Sequence, residues 1–373
     1  MAESTRLVDL VQQGIDEFLS ERSAELAAIT PELGQVTDLA RAFLSGGKRF
    51  RALFCYWGWQ ATAGVADDFD PLADLDASAD LPGVVLASSA LEVFHAAALV
   101  HDDIMDNSDT RRGLPSAHRL FENLHRDGSW SGSANDFGQS AALLLGDLLL
   151  GWSDELFDRG CGMLAERSSA LAGRAEFNRM RTEVTAGQYL DILEENSWSA
   201  HPESDALIRA HRVIVYKSAK YSVEAPLAIG AALGGGSIAQ LAALRSFGLP
   251  LGVAYQLRDD LLGVFGDPEV TGKPAGDDLR EGKRTVLIAL ARTKLPGHLR
   301  NLVDELLGDP GLDRQQVDMI RTALRDSGAV DEVERIIEHN VGLARQALDG
   351  APIAASARIQ LLQLADTVTR RAA

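Results

Sequence analysis

The chain has 373 residues and 46% hydrophobic content, enough for a large buried core in one or two domains. Its formal net charge of −18 argues against nucleic acid as a partner, because the phosphates would be repelled. The only cysteines, Cys55 and Cys161, exclude a disulfide framework and a cysteine-based zinc site.

Helical periodicity dominates from the start of the chain. Residues 5–26 place apolar side chains on one face of an amphipathic helix. The same reading predicts further helices over 84–106, 139–157, 171–194, 206–232, 237–264, 284–293, 314–325, 330–348 and 354–371. No segment alternates convincingly as a β-strand. The runs 84–100 and 139–150 are apolar nearly all round, which is typical of helices in the middle of a bundle.

Four polar stretches interrupt the predicted helices, at 61–83, 125–138, 196–205 and 308–313. Their turn-forming composition indicates surface loops, and none leaves enough chain on both sides for independent folding. We therefore predict one all-α domain over residues 1–373. The two segments in which a helix ends at an Asp-Asp pair resemble each other loosely, as two halves that face a shared cavity would.

No targeting or membrane segment is expected. The first residues lack a basic stretch followed by an apolar one, as a signal peptide would have. The longest apolar runs, such as AALLLGDLLLGW, are too short or too interrupted to span a bilayer. We expect a soluble, cytoplasmic protein.

The sequence LVHDDIMDNSDTRRG carries Asp102, Asp103 and Asp106 at the end of an apolar helical run. On a helix, Asp102 and Asp106 share a face and can hold one cation. An isolated aspartate pair would more often be a solvated helix end. Here Arg111 and Arg112 follow, and planar guanidinium groups suit diphosphate oxygens. This pattern favours a metal and polyphosphate site.

A second pair, Asp259-Asp260, lies in YQLRDDLLGVFGD and precedes a Gly- and Pro-punctuated loop that carries Lys273 and Lys283. Loops of this kind can close over a phosphate, although a plain charged surface loop has the same composition. The segment GGKRFR (46–51) presents cations where a helix begins. Taken alone, it would be an ordinary basic turn.

These residues, in this order, resemble the trans-isoprenyl diphosphate synthase (polyprenyl synthetase) family. The matching segments are GGKRFR, DDIMD with RRG, GQYLD, Lys217 with Tyr221, YQLRDD, TGK and EGKR, from about residue 40 to about 290. The resemblance implies an isoprenoid-synthase-type helical bundle around a central cavity, usually a homodimer. It also implies head-to-tail condensation of isopentenyl diphosphate with an allylic diphosphate, with three Mg²⁺ ions.

The same resemblance implies roles for individual residues. The Mg²⁺ ligands would be Asp102, Asp103, Asp106, Asp259 and Asp260, and the central catalytic groups Asp102, Asp103, Lys217 and Asp259. The allylic diphosphate would be held by Arg111, Lys217 and Lys273, and isopentenyl diphosphate by Lys48, Arg51, His95 and Arg112. Supporting polar residues would be Gln188, Asp191, Tyr221, Gln256 and Lys283. Without the resemblance, His95 would be read as a core histidine, and Gln188 and Tyr221 as packing residues.

The chain departs from the family pattern at Gly263, where the second motif often carries a third aspartate. Asp267 follows four residues later and is a doubtful replacement. This departure puts the coordination at the second motif in doubt, and leaves the overall reaction unaffected.

Product length is predicted from the helix before Asp102. Ala97 and Ala98 stand where family members that stop at C15 carry a bulky residue, and Phe94 lies one helical turn, about 5.4 Å, further from Asp102. We therefore predict geranylgeranyl diphosphate (C20), with farnesyl or longer products as alternatives. The competing interpretation for Phe94 is packing against a neighbouring helix.

Three other classes of protein remain as alternatives. A class I terpene cyclase should carry an Asn/Ser/Glu metal triad in place of Asp259-Asp260. A non-catalytic partner subunit should have lost the aspartate motifs. A carboxylate-bridged di-metal bundle needs paired Glu-x-x-His segments, which are not found here.

Overall fold

The structure is a computed structural model that describes residues 2–63, 79–111, 113–266 and 276–369. Helices make up nearly all of its regular structure, which confirms the predicted all-α class. The expectation of no strand is wrong in one place, because β1 (Thr110–Arg111) and β2 (Leu114–Pro115) form an antiparallel hairpin.

The chain divides into two compact units. The first contains Met1–Ala175, Pro226–Ser237 and Ala354–Ala357. The second contains Glu176–Ala225, Ile238–Ile353 and Arg358–Ala373. The expectation of a single domain over residues 1–373 stays a prediction.

The first unit is built around α4, which packs along α6. Its helices are α1 (Ala2–Ile29), α2 (Gly34–Phe43), α3 (Phe50–Gln60), α4 (Leu81–Met105), α5 (Ala117–Asp127) and α6 (Ala134–Gly162). The two central helices approach closely, since a Cβ atom on Gly83 would lie 2.7 Å from the Gly160 carbonyl oxygen. Glycine at both positions therefore lets the backbones touch.

Helix α4 is long and apolar enough to cross a membrane, with a mean hydropathy of 1.7 in its most apolar window. The expectation that every apolar run is too short is therefore wrong for this helix. Because 78% of that window is buried within the protein, the helix fits the alternative of a core helix.

From α7 (Arg167–Ser197), the chain continues into α8 (Ala206–Val213), a π-helix (Ile214–Glu224) and α9 (Ala225–Leu233). The remaining helices are α10 (Ile238–Phe265), α11 (Asp277–Glu281), α12 (Val286–Lys294), α13 (Gly297–Leu306), α14 (Arg314–Asp326), α15 (Ala329–Ala347) and α16 (Ala355–Thr369). In the second unit, α10 packs against the π-helix and α15, and Leu257, Leu287 and Leu324 are buried in its core.

Every predicted helix is present, with shifted ends, but three details are wrong. The predicted helix 206–232 is interrupted by the π-helix. The predicted loop 125–138 contains the end of α5 and the start of α6. Helices α2, α5, α11 and α13 were not predicted, and only the start of α3 was. Most of the loop 61–83 cannot be compared, because residues 64–78 lie outside the described residues.

Candidate active site

The first aspartate pair lies at the end of α4 and is bridged by an arginine from the hairpin. Arg111 Nε donates to Asp103 Oδ1 at 2.9 Å, and Arg111 Nη2 donates to Asp102 Oδ2 at 3.4 Å. Asp103 is fully buried, and the side chain of Asp102 is 17% exposed. Burial of one carboxylate beside another is unfavourable, so the guanidinium offsets a repulsion that would otherwise oppose folding.

The backbone after α4 explains why Arg111 reaches back to the aspartates. Asn107 has a φ of 52°, and the Ser108 N–H donates to the Asp103 carbonyl at 2.9 Å. A residue with left-handed backbone angles directly after a helix directs the chain back towards the last turn of that helix. Gly113, with a φ of 75°, then allows the tight turn between the two strands. Asp106 follows the helix directly and is half-buried.

The basic segment before α3 is held in an uncommon backbone conformation. Gly46, Gly47 and Arg49 have φ angles of 67°, 92° and 48°. Lys48 is exposed and Arg51 is half-buried, whereas Arg49 is only 6% exposed. The segment therefore presents Lys48 to solvent while Arg49 is drawn into the protein.

Glu92 on α4 holds this basic segment in place. Its Oε1 accepts the Ala52 N–H at 3.0 Å, and its Oε2 lies 3.5 Å from Arg49 Nη1. Arg49 Nη2 also donates to Gln12 Oε1 at 2.6 Å. Glu92 was not among the predicted site residues. It is the only carboxylate in the apolar run 84–100, and that isolation was a usable signal.

The remaining predicted residues of the first unit follow Glu92 along α4. His95 is half-buried one turn later. Phe94 is 4% exposed, Ala97 is fully buried and Ala98 is half-buried. Ala97 and Ala98 therefore lie between Phe94 and Asp102 on this helix, and their role in product length stays a prediction.

In the second unit, Lys217 of the π-helix donates to Asp191 of α7, with Nζ and Oδ2 2.5 Å apart. The close approach of the two helices depends on Gly187. A Cβ atom there would lie 2.7 Å from Lys217 Cα and even closer to Lys217 N. Gln188, next in sequence, is half-buried, and Tyr221 of the π-helix is buried. The GQYLD segment thus positions Lys217 through its glycine and its aspartate together.

The second aspartate pair lies near the end of α10, where Asp259 is exposed and Asp260 is 6% exposed. Gln256 Nε2 donates to Asp260 Oδ1 at 2.8 Å. Burial raises the pKa of Asp260 to about 8, the Gln256 hydrogen bond opposes this rise, and the negative charges of Asp278 and Asp259 add to it. At neutral pH this site therefore favours a bound proton or a bound cation.

Lys283 follows α11 and lies among carboxylates. Its Nζ is 2.5 Å from Glu281 Oε2 and 3.8 Å from Asp278 Oδ1. Three residues named from the sequence, Arg112, Asp267 and Lys273, lie outside the described residues.

The aspartates can be tested for their fit to Mg²⁺. Among the described residues, no three His, Cys, Asp or Glu side chains are grouped as ligands of one metal ion. Mg²⁺ does not need such a cage, because it keeps several waters and takes one or two carboxylates plus substrate phosphates. Asp260 Oδ2 is buried and has no hydrogen-bond partner among the described residues. This donor set therefore fits a Mg²⁺ ion that binds together with a diphosphate.

Comparison with known proteins agrees with these features. A family model described as polyprenyl synthetase matches residues 34–325. The chain belongs to the polyprenyl synthetase family. It is thus a prenyltransferase of the trans-polyprenyl diphosphate synthase type, as predicted, and the family acts on isoprenyl diphosphates.

Two relatives and one solved structure illustrate the similarity. A geranylfarnesyl diphosphate synthase from Aeropyrum pernix is 30% identical over 354 residues, which cover 94% of this chain and 96% of that protein. A geranylgeranyl diphosphate synthase from Methanosarcina mazei is 28% identical, with 96% and 98% covered. The crystal structure of a geranylgeranyl pyrophosphate synthase from Corynebacterium glutamicum, complexed with isoprenyl diphosphate and magnesium, is 36% identical, with a TM-score of 0.89 and coverage of 98% and 99%.

Proposed function

We propose that this polyprenyl synthetase makes geranylgeranyl diphosphate (C20) as its main product. The observation that carries the proposal is the order of side chains on α4. Ala97 and Ala98 carry small side chains close to Asp102, and the buried Phe94 follows one turn deeper. The similarity to geranylgeranyl diphosphate synthases supports this length, while the geranylfarnesyl relative keeps a longer product as the second candidate.

In the first unit, Asp102, Asp103 and Asp106 hold Mg²⁺, and Arg111 holds the allylic diphosphate. Arg111 already bridges two of these carboxylates, so it stands beside any diphosphate that shares their cations. Isopentenyl diphosphate is bound by Lys48, Arg51, His95 and Arg112. These donors have to remain in place after the allylic group has reacted.

In the second unit, Asp259 and Asp260 hold Mg²⁺, and Lys217 and Lys273 hold the allylic diphosphate. Gln256 orients Asp260 by its hydrogen bond, and Asp191 orients Lys217. The supporting residues Gln188, Tyr221 and Lys283 complete the polar lining. Three Mg²⁺ ions in all, when bound, neutralise the diphosphate oxygens.

The reaction follows from charge. The cationic side chains that hold the allylic diphosphate stabilise it as the allylic C1–O bond breaks, which leaves a carbocation on the allylic group. The double bond of isopentenyl diphosphate attacks C1 and forms the new C–C bond. A proton then leaves the condensed product and is taken up by the departed diphosphate. Apolar residues of α4, including Ala97 and Phe94, keep water from the cation.

The protein acts as a cytoplasmic homodimer. The support for a dimer is an exposed apolar pair on α6, where Leu143 and Leu144 are 50% and 62% exposed. We infer an association face on α6 from these two neighbouring apolar side chains. We expect light scattering to give twice the chain mass, and Leu144→Glu to shift the protein to monomers. A wild-type protein with the mass of one chain in light scattering would contradict the dimer.

The function is tested by incubating the full chain with Mg²⁺, isopentenyl diphosphate and, separately, C5, C10 and C15 allylic diphosphates, with products sized by chromatography. A C20 main product supports the proposal. A C25 product keeps the reaction and rejects Phe94 as the limit. No condensation with any primer would favour a non-catalytic partner subunit.

A further inference from the structure

A cavity of about 180 Å³ lies within the second unit, and none of the described residues that line it belongs to an aspartate motif. Its wall comes from the end of α7, the start of α8, and α12 with the residues just before it. Trp198 and three arginines, Arg209, Arg284 and Arg292, line it. A single water needs only about 10–15 Å³, so the cavity has room for a small ligand.

The first of these arginines already has a carboxylate of its own. Arg209 Nε donates to Glu194 Oε2 at 3.0 Å, and Arg209 Nη2 lies 2.6 Å from Glu194 Oε1. A guanidinium and a carboxylate that meet at two points neutralise each other well. The electrostatic character of the cavity therefore depends on Arg284 and Arg292.

Arg284 and Arg292 share one carboxylate. Arg284 Nη1 donates to Asp304 Oδ1 at 3.2 Å, and Arg292 Nη1 donates to the same oxygen. Among the described residues, neither arginine forms an ion pair with a second carboxylate. Asp304 takes one donor from each guanidinium, and each guanidinium has several more. The pair therefore keeps an excess of positive charge and of N–H donors.

The two guanidinium groups are held close together and largely away from water. The Cζ atoms of Arg284 and Arg292 lie 3.8 and 4.7 Å from the centre of the Trp198 ring, and their side chains are 10% and 13% exposed. Burial lowers the pKa of Arg284, Asp304 opposes this, and the positive charge of Arg292 adds to it. A bound anion would offset this repulsion, and the indole ring holds both cations in place for it.

We propose that this cavity binds a small phosphoryl anion, inorganic phosphate or pyrophosphate, through Arg284 and Arg292. The several oxygens of a phosphoryl group can each accept from a planar guanidinium, and its charge offsets the excess on the pair. The chain as a whole has a net charge of −18, so a cationic cavity is a local exception that selects for an anion. The inference goes beyond the proposed function, because it requires neither the aspartate motifs nor turnover.

The first test observes Trp198 directly. The full chain is labelled with 5-fluorotryptophan, and the fluorine resonances of Trp198 and the buried Trp152 are assigned by their loss in Trp198→Phe and Trp152→Phe. Without Mg²⁺ and at constant ionic strength, inorganic phosphate and pyrophosphate are titrated separately. The Trp198 resonance should shift to saturation while that of Trp152 stays in place. A Trp198 resonance that moves with neither anion would overturn the proposal.

The two titrations also distinguish the sources of the anion. Saturation at a lower concentration of pyrophosphate than of phosphate identifies the diphosphate that the proposed reaction releases as the occupant. Saturation at a lower or equal concentration of phosphate identifies the free phosphate ion. Both results support a phosphoryl site, because both anions present the same oxygens to the arginines.

Arg292→Gln should weaken the affinity measured at Trp198 by about tenfold or more, because it removes a charged donor to the anion. The matched control is Arg345→Gln, at an exposed pair with Asp366, which should change this affinity by less than about twofold. Equal affinities in the wild type and Arg292→Gln would overturn the proposal.

A second variant fills the cavity and keeps every charge. Ala206 is half-buried at the start of α8 and lines the cavity, so Ala206→Met should abolish the saturable shift. Ala347→Met, at a half-buried position at the end of α15, is the control and should leave the shift unchanged. Thermal unfolding of each variant establishes that it is folded. Wild-type affinity in Ala206→Met would place the anion outside the cavity and overturn the proposal.

These outcomes are separate from those of the condensation assay. A protein that condenses substrates but shows no anion-dependent shift at Trp198 loses this inference alone. A protein that shows the shift but condenses no substrates keeps the anion site and loses the proposed function.

Discussion

Arg49 and Glu92 form a buried ion pair that joins the basic segment before α3 to the middle of α4, with Arg49 Nη1 and Glu92 Oε2 3.5 Å apart. Each side chain is 5% exposed. The same glutamate accepts the Ala52 N–H in the first turn of α3. Lys48 and Arg51 therefore belong to a segment whose backbone is fixed from within the core.

Glu92→Gln should lower the free energy of unfolding by about 3 kcal/mol, because it leaves the Arg49 charge buried without a carboxylate. It should also raise KM for isopentenyl diphosphate more than it lowers kcat, since Lys48 and Arg51 lose their support. Urea denaturation and steady-state kinetics check both. Glu203→Gln, at an exposed pair with Arg300, is the control and should cost about 0–1 kcal/mol. Equal losses of unfolding free energy in the two variants would contradict the role given to the buried Arg49–Glu92 pair.

Asp260 predicts a pH-dependent stability. Its folded-state pKa of about 8 exceeds the usual 3.8, so the folded protein binds the proton more tightly than the unfolded chain. The stabilisation is complete below pH 3.8 and is lost as pH rises towards 8. Metal-free Asp260→Asn should escape this loss and exceed the wild type at pH 8 by on the order of a few kcal/mol.

Mg²⁺ should reverse the order of stability between the wild type and Asp260→Asn. With Mg²⁺ and pyrophosphate, the wild-type melting temperature should rise more at pH 8 than at pH 6, because protons compete with the cation for Asp260. Asp260→Asn should show a smaller rise at both pH values. A wild-type rise that is independent of pH would count against the raised pKa.

Phe94→Ala should lengthen the main product by at least one isoprene unit, because the buried ring no longer blocks the growing tail. Ala98→Phe should shorten it to C15 by placing the block one turn, about 5.4 Å, closer to Asp102. Chromatography of the products measures both. Val93→Ala, at a buried neighbour, is the control and should leave the length unchanged. If Phe94→Ala and Val93→Ala give the same products as the wild type, Phe94 does not set the length.

Gly187→Ala should destabilise the second unit by about 2 kcal/mol, because its methyl group would overlap the backbone at Lys217. The Lys217–Asp191 hydrogen bond should weaken with it. Gly342→Ala is the control, since no neighbouring atom lies within 4 Å of its Cβ position. Within α15, that change should stabilise by about 0.5–1 kcal/mol. Urea denaturation compares the two, and a stabilised Gly187→Ala would show that the helices can separate without cost.

The sequence alone was sufficient to locate those elements whose structure is decided by a local pattern. Long apolar periodicity located α4, α6 and α10, and the aspartate and basic motifs located the family. Helix α5 was missed because His118, Glu122 and His125 supply much of its buried face. Glu122 pairs there with Arg119 and Arg126. Helix α13 was missed because Pro296 and Gly297 read as breakers, although proline is tolerated where a helix begins.

Other features depend on contacts far apart in sequence. The π-helix lies against glycines of two different helices, Gly187 of α7 and Gly252 of α10, and no local pattern records this. The β1–β2 hairpin is too short to show alternation, yet it brings Arg111 to Asp102 and Asp103. Asp278 gave no sequence signal as a partner of Gly263, because only the folded chain brings the two together.

The backbone contact between α4 and α6 at Gly83 and Gly160 limits which substitutions these two positions can accept. A Cβ atom at Gly83 would lie 2.7 Å from the Gly160 carbonyl oxygen, and one at Gly160 would lie 2.6 Å from the Gly83 carbonyl oxygen. A backbone atom cannot turn aside as the end of a side chain can, and neither glycine has a side chain to give up in exchange. A substitution at one position therefore has no compensating change at the other.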